Sequence, residues 1–344
     1  MIDLGGLLNR FRSQDRVGCD FGTDTFKVVQ LTKRGAALQL GACGMTVIEW
    51  GSDEEAAVRR LQVFLREHRV NLAHAVINLT DPNLQIREME LAKMPERDLL
   101  MAIRWNFREG IDGPLENFQV AYTEVRKSAD GNRRHLMAYG ISKAVVKRLQ
   151  ERSDKVGLKL LAIEPDISAL MAAAEYNLDW VEGERVGILD LGFGSGNLLI
   201  AADRVLHYAR PLNSVGLDRL GQLVAPAATS PAERREAIRH FMAGSEGDEA
   251  VPGVDDFYRQ ILLEIERITA GFLGQAGLEV GEGIQRLYLS GGGALFPRLK
   301  GYLEKNLGVT TATFNPFRKI EGGDRVENGP LYSVAVGLAI PPPK

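Results

Sequence analysis

Two short segments about 170 residues apart carry the same arrangement of a carboxylate, a glycine and a following polar side chain. They are Gly18-Cys19-Asp20-Phe21-Gly22-Thr23-Asp24-Thr25-Phe26-Lys27 and Ile188-Leu189-Asp190-Leu191-Gly192-Phe193-Gly194-Ser195-Gly196-Asn197. Each ends an apolar strand in Asp-x-Gly, turns, and returns as a second apolar strand. Asp20 aligns with Asp190, Gly22 with Gly192 and Lys27 with Asn197. One Asp-x-Gly is a commonplace turn; two in matching context point to duplication of a whole lobe. A glycine at a tight turn lets backbone N–H groups approach phosphate oxygens. Two such hairpins face to face would clamp a triphosphate, with Asp20 and Asp190 holding a magnesium ion through ordered water. Lys27 could reach the outer phosphates as a point charge.

A third element fits the same chemistry. Leu287-Tyr288-Leu289-Ser290-Gly291-Gly292-Gly293 is a strand running into a glycine loop, and Phe296-Pro297 opens a helix after it. Bare backbone there can pass beside a ribose or an α-phosphate, and a helix N-terminus favours anions.

The elements that must position these loops follow from hydrophobic periodicity. Val17–Phe21 with Phe26–Leu31, and Val186–Leu191 with Asn197–Ala201, read as two buried hairpins. Residues 55–69 place Val58, Leu61, Phe64, Leu65 and His68 on one helical face, and Ala75–Leu79 is a short buried strand. Between residues 81 and 160 the texture changes. Strands are expected over Gln85–Leu91, Phe118–Val125 and His135–Tyr139, and helices after Pro95 and over Lys143–Val156. A long helix carries Val254, Phe257, Ile261, Ile265, Ile268 and Phe272. Arg286–Leu289 is a strand, and helices are expected over Leu295–Leu307 and Val334–Ile340.

Composition narrows the class. The 344 residues are 45% hydrophobic and 25% charged, with a net charge of -3, so no bulk attraction to nucleic acid or anionic lipid is expected. No run approaches the ~20 apolar residues of a membrane span. Residues 1–15 lack a signal-peptide core and are read as a tail, although Ile2, Leu4, Leu7, Leu8 and Phe11 could form an amphipathic turn. Cys19 and Cys43 are expected to be reduced and buried in strands. These features describe a cytoplasmic protein.

The three loops, in this order, resemble those of the actin, heat-shock-70 and sugar-kinase ATPase superfamily. The resemblance implies a duplicated, actin-like (ribonuclease H-like) α/β fold with two lobes around a nucleotide cleft, and ATP with Mg²⁺ as ligands. Its first phosphate loop would comprise Asp20, Gly22, Thr23, Asp24, Thr25 and Lys27. Its second would comprise Asp190, Gly192, Gly194, Ser195, Gly196 and Asn197, and its adenosine loop Gly291, Gly292, Gly293 and Phe296. Glu164-Pro165 through Ala174 is similar to the first connecting helix, and Ser333 to Ala339 to the second. Glu164 matches the glutamate that orders the hydrolytic water in the chaperone branch, so Asp190 and Glu164 are the implied catalytic residues. Glu264 and Arg267 match a Glu-x-x-Lys/Arg pair that grips adenine.

Within the superfamily the chain resembles the PilM family of type IV pilus assembly from about Arg16 to Ile340. The likeness is carried by Met89-Glu90-Leu91-Ala92-Lys93-Met94-Pro95, Ala102-Ile103-Arg104-Trp105-Asn106 and Phe314-Asn315-Pro316-Phe317. It implies a first lobe from residues 16–80 and 161–180. A β-β/α-β-β/α insert, placed as in the division protein FtsA, would span 81–160. The second lobe would span 181–344, with a smaller subdomain at about 217–285. It also implies placement at the cytoplasmic face of the inner membrane, with indirect membrane contact. The implied partner is a PilN-type bitopic protein, whose cytoplasmic N-terminal peptide would lie in a groove bordering the insert; a homo-oligomer is also open. Asn197 stands where Thr or Ser is common, Asn213-Ser214-Val215-Gly216 has one glycine where a pair is common, and residues 107–115 depart from the acidic-proline pattern. Nucleotide binding with weak or absent hydrolysis is therefore expected. An FtsA-like filament or membrane tether remains open, although Pro341-Pro342-Pro343 does not continue a helix. So does a small-molecule kinase, for which Asp166 and the acids of residues 81–116 are the available bases.

Overall fold

The computed structural model describes residues 15–342 except 49, 51–52, 112, 128–130, 213 and 244–250. The expected tail, its amphipathic turn and Asn213 lie outside those residues, apart from Asp15. The chain opens with strands β1 (Asp15–Phe21), β2 (Thr25–Arg34) and β3 (Ala37–Val47), helix α1 (Glu54–Glu67) and strand β4 (Ala75–Leu79). Then come β5 (Gln85–Ala92), α2 (Glu96–Asn106), β6 (Phe118–Lys127), β7 (Arg133–Ser142) and α3 (Lys143–Val156). Next are β8 (Leu160–Pro165), α4 (Asp166–Asn177), β9 (Arg185–Leu191), β10 (Gly196–Ala202), β11 (Val205–Leu212), α5 (Leu217–Val224), α6 (Pro231–Ala243) and α7 (Val254–Ala276). The chain closes with β12 (Arg286–Gly291), α8 (Pro297–Leu307), β13 (Thr310–Thr313), β14 (Ile320–Glu321) and α9 (Ser333–Ala339).

The duplication inferred from two turns extends to two whole sheets. The first runs β14-β3-β2-β1-β4-β8, the second β11-β10-β9-β12-β13. In each, three antiparallel strands are followed by two parallel ones in the same order. Asp20 pairs with Lys27 across the first hairpin, and Asp190 with Asn197 across the second. The central strands β1, β4 and β9 are buried on both faces and read as near-continuous apolar runs. β3 has no such signature, because Gly41, Gly44 and scattered polar residues break any alternation. A Cβ on Gly44 would stand 2.6 Å from His68 Cδ2, so packing rather than strand propensity places glycine there.

The insert contains three strands, not the four implied by a β-β/α-β-β/α unit. Its order is β5-α2-β6-β7, with the sheet arranged β5-β7-β6. α2 covers one face through Leu99, Ile103 and Phe107, which are fully buried against Phe118, Val120 and Leu136. Helix α3 packs elsewhere. Val146 and Val156 join the core around α1 and β1, and Gln62 Nε2 donates to the Lys155 carbonyl at 2.9 Å. The end of the chain also returns to the first sheet. β14 pairs in parallel with β3, and α9 lies on β1 and α4. This close approach rests on two glycines. A Cβ on Gly18 would sit 2.0 Å from the Ala335 carbonyl oxygen, and one on Gly337 1.8 Å from that of Ala169. Both cysteines are free thiols. Cys19 is buried and Cys43 half-buried.

Candidate nucleotide cleft

The two hairpin turns have the same local geometry. Gly22 N donates to the Thr25 carbonyl at 2.9 Å, and Gly192 N to the Ser195 carbonyl at 2.9 Å. The turns meet: a Cβ on Gly194 would stand 2.5 Å from Thr23 Oγ1. Only glycine at residue 194 lets one turn close this far on the other.

Each strand-end carboxylate is held from the neighbouring parallel strand. Asn78 Nδ2, on β4, donates to Asp20 Oδ1 at 3.1 Å. Ser290 Oγ, on β12, donates to Asp190 Oδ1 at 2.8 Å. Lys27 Nζ donates to Asp20 Oδ2 at 3.0 Å. Burial works against the Lys27 charge, but Asp20, then Asp24 and Asp190, hold its pKa above the usual lysine value. Burial pushes the Asp190 carboxyl up to about 6, with Asp20 adding repulsion and Ser290 and Lys27 opposing it.

A further acid completes the cluster. Asp166 opens α4 and accepts from Asn78 Nδ2 at 3.1 Å and from Thr80 Oγ1. Burial, then the charges of Asp20 and Asp190, push it up to about 7, against the Thr80 and Asn78 hydrogen bonds. Asp166 is therefore the carboxyl that shares the field of Asp20 and Asp190.

Glu164 is not in this group. It lies on β8, two residues before Asp166, and pairs with Arg16 at 3.2 Å. Arg16 also donates to the Ile340 carbonyl at 3.0 Å. Pro165 explains the difference. It stands at φ -60°, ψ 145° just before the helix, and a residue preceding proline is pushed out of the helical region. The first helical acid is thus Asp166, while Glu164 is engaged by Arg16. Burial raises the Glu164 pKa, against the pull of Arg16.

Glu264 and Arg267 do bond to each other on α7, at 2.6 Å, with the arginine largely exposed. The glycine loop begins with Gly291 at φ +67°. A Cβ there would stand 2.7 Å from the Leu191 carbonyl oxygen. The loop therefore packs directly against the second hairpin, with Gly293 and Ala294 buried and Phe296 in the adjacent core.

Sequence reasoning did not single out Asn78, Thr80 or Arg235. A signal for Asn78 exists: it is the first polar residue after the apolar run of β4, as Ser290 is after that of β12. Arg235 has none. It reaches across from α6, with Nε 2.6 Å from Asp24 Oδ2 and a second nitrogen 3.2 Å from the Asp24 carbonyl. Its guanidinium also lies 5.7 Å from the Phe193 ring centre.

A cavity of about 590 Å³ lies beside α4, lined by the first lobe, the insert and residues 204–206 of the second lobe. Its wall includes Thr123 and Val125 of β6, Tyr139 of β7, Ser168 and Met171 of α4, and Pro341 near the chain end. The Arg16–Glu164 pair also lines it.

Duplicated sheets closing turn against turn make this an actin-like ATPase fold. The family model described as type IV pilus assembly protein PilM matches residues 18–341, and the chain belongs to that family. Among solved structures it is similar to a PilM–PilN type IV pilus biogenesis complex, with a TM-score of 0.77 at 19% identity. That match covers 95% of this chain and 98% of that one. It is also similar to the ethanolamine utilization protein EutJ from Carboxydothermus hydrogenoformans, with a TM-score of 0.50 at 13% identity, covering 97% and 92%. None of the curated proteins matches it in sequence. No helix among the described residues is long and apolar enough to cross a membrane.

Proposed function

We propose that the chain is an ATP-binding scaffold of type IV pilus assembly. It would work at the cytoplasmic face of the inner membrane and capture the N-terminal cytoplasmic peptide of a PilN-type protein. The observation that carries the nucleotide reading is the contact of the two glycine turns beneath one carboxylate cluster. Backbone N–H groups of both turns would grip the phosphates, Lys27 would supply charge, and the residue 291–293 loop would pass beside the nucleoside.

The donor set suits magnesium held through its water shell. Asp20 and Asp190 are oriented by Asn78 and Ser290, and among the described residues no three acidic, histidine or cysteine side chains converge on one ion. Magnesium, when bound, would offset phosphate charge in a cleft already rich in carboxylates. Asp166, which burial and the charges of Asp20 and Asp190 push up to about 7, is the carboxyl there best matched to a general-base role. The engagement of Glu164 by Arg16 supports binding with slow hydrolysis.

The cavity beside β6, β7 and α4 is the candidate peptide groove. It is mostly apolar and floored by a buried ion pair, which suits an extended segment with apolar side chains and a few polar contacts. The similarity to a PilM–PilN complex supports this occupant. The test is fluorescence anisotropy with a labelled N-terminal cytoplasmic peptide of a PilN-type protein. Saturable binding to the wild-type protein, lost in Met171→Arg, is expected. Equal binding to both proteins would refute the groove.

A further inference from the structure

The cations nearest the two turns are already engaged. Lys27 is held by Asp20 and Arg235 by Asp24. The second pair is the unusual one. Asp24 belongs to the first turn and Arg235 to α6, more than 200 residues away in the chain. The contact is short, at 2.6 Å, and both side chains are largely buried, at 18% and 8% exposure. Arg235 also takes the Asp24 carbonyl and lies over Phe193 of the second turn. One guanidinium thus spans both turns and the helical subdomain carrying α6, at the seam where Gly194 meets Thr23.

A phosphate gripped between those turns enters the same seam. It brings two or three acceptor oxygens beside Asp24, and two anions compete for one guanidinium. Arginine matches phosphate as well as carboxylate through its planar fork. The outermost phosphate reaches furthest toward the seam, because a nucleoside lying beside the 291–293 loop directs its phosphate chain toward the turns.

We propose that Arg235 is the nucleotide-state sensor of this cleft, exchanging Asp24 for the terminal phosphate of a nucleoside triphosphate. The inference rests on the nucleotide reading above and adds its regulation. In the ligand-free chain the Arg235–Asp24 pair latches α6 to the first lobe. A triphosphate takes the guanidinium and frees Asp24. A diphosphate, one phosphate shorter, leaves the latch closed. The readable consequence is a difference in the contact between lobes, set by the third phosphate.

The test measures MgATP and MgADP affinity with fluorescent analogues on the full chain, comparing wild type with Asp24→Asn, Asp24→Asn/Arg235→Ala and Lys27→Ala. Asp24→Asn releases Arg235 without removing it, and the ATP-over-ADP affinity ratio should rise about tenfold. The double variant removes both charges, leaves no buried ion unpaired, and should lower that ratio about tenfold below wild type. Lys27→Ala should weaken both nucleotides. Parallel shifts of ATP and ADP in the first two variants would overturn the sensor while leaving nucleotide binding intact. Failure of the wild-type protein to bind either nucleotide overturns the binding reading and the sensor with it. Thermal melting of each variant separates loss of fold from loss of affinity.

Discussion

The substitution Asp166→Asn should change how stability depends on pH. In the folded chain this carboxyl is half-buried beside Asp20 and Asp190, and the loss of water around it with their charges pushes its pKa up to about 7, against 3.8 for an ordinary aspartate. The folded state therefore binds more protons than the unfolded state between those values. Stability from this group is full below about pH 4 and is lost as pH rises through 7. From pH 5, where the unfolded aspartate is already ionised, to pH 7, roughly two pH units of this loss accumulate. At about 1.4 kcal/mol per unit, that is about 3 kcal/mol. The amide of the variant would be uncharged at every pH and would keep acceptor and donor groups for Asn78 and Thr80. The assay is urea unfolding of both proteins at pH 5 and pH 8, without nucleotide or magnesium. The stability advantage of the variant over wild type should grow by about 3 kcal/mol between pH 5 and pH 8. A difference that does not change with pH would show that Asp166 is not held as a half-buried, repelled acid.

Three other outcomes follow from the same geometry. Lys27→Ala should weaken nucleotide binding by about 1.5–3 kcal/mol, the worth of a hydrogen bond to a charged group; isothermal titration with MgATP checks it, and unchanged affinity would contradict the phosphate-loop assignment. Asp190→Ala should reduce the gain in ATP affinity that magnesium provides more than it reduces affinity for metal-free nucleotide, which a titration with and without the cation reads directly. Gly337→Ala should destabilise the chain by about 3 kcal/mol or more, because a Cβ 1.8 Å from the Ala169 carbonyl oxygen forces α9 off α4. A urea midpoint equal to that of wild type would show that this helix crossing has slack.

The local sequence was sufficient for the two hairpins, because each is built from neighbouring residues. Turn glycines, strand-end aspartates and apolar runs are properties of ten or so consecutive positions, and their repetition signals the duplicated lobe. The same holds for α7, whose apolar residues recur at helical spacing, and for the glycine loop after β12. The pairing of Asp20 with Lys27 and of Asp190 with Asn197 follows from the turn lengths alone.

Tertiary structure decided what those carboxylates feel. Asp166 is an ordinary helix-start acid in the sequence. It becomes a raised, cleft-facing group only because β8 lies beside β4 and brings it to Asn78 and Thr80. Glu164 sits two positions earlier, yet Arg16 draws it into the cavity wall. Residues 320–339 read as part of the second lobe by position, but β14 and α9 pack on the first sheet. Helix α3, counted with the insert by position, joins the core around α1. Arg235 meets Asp24 across a gap in sequence that no local pattern spans. Charge and apolar surface act through space, and burial raises the energy of a carboxylate only where the fold removes water from around it.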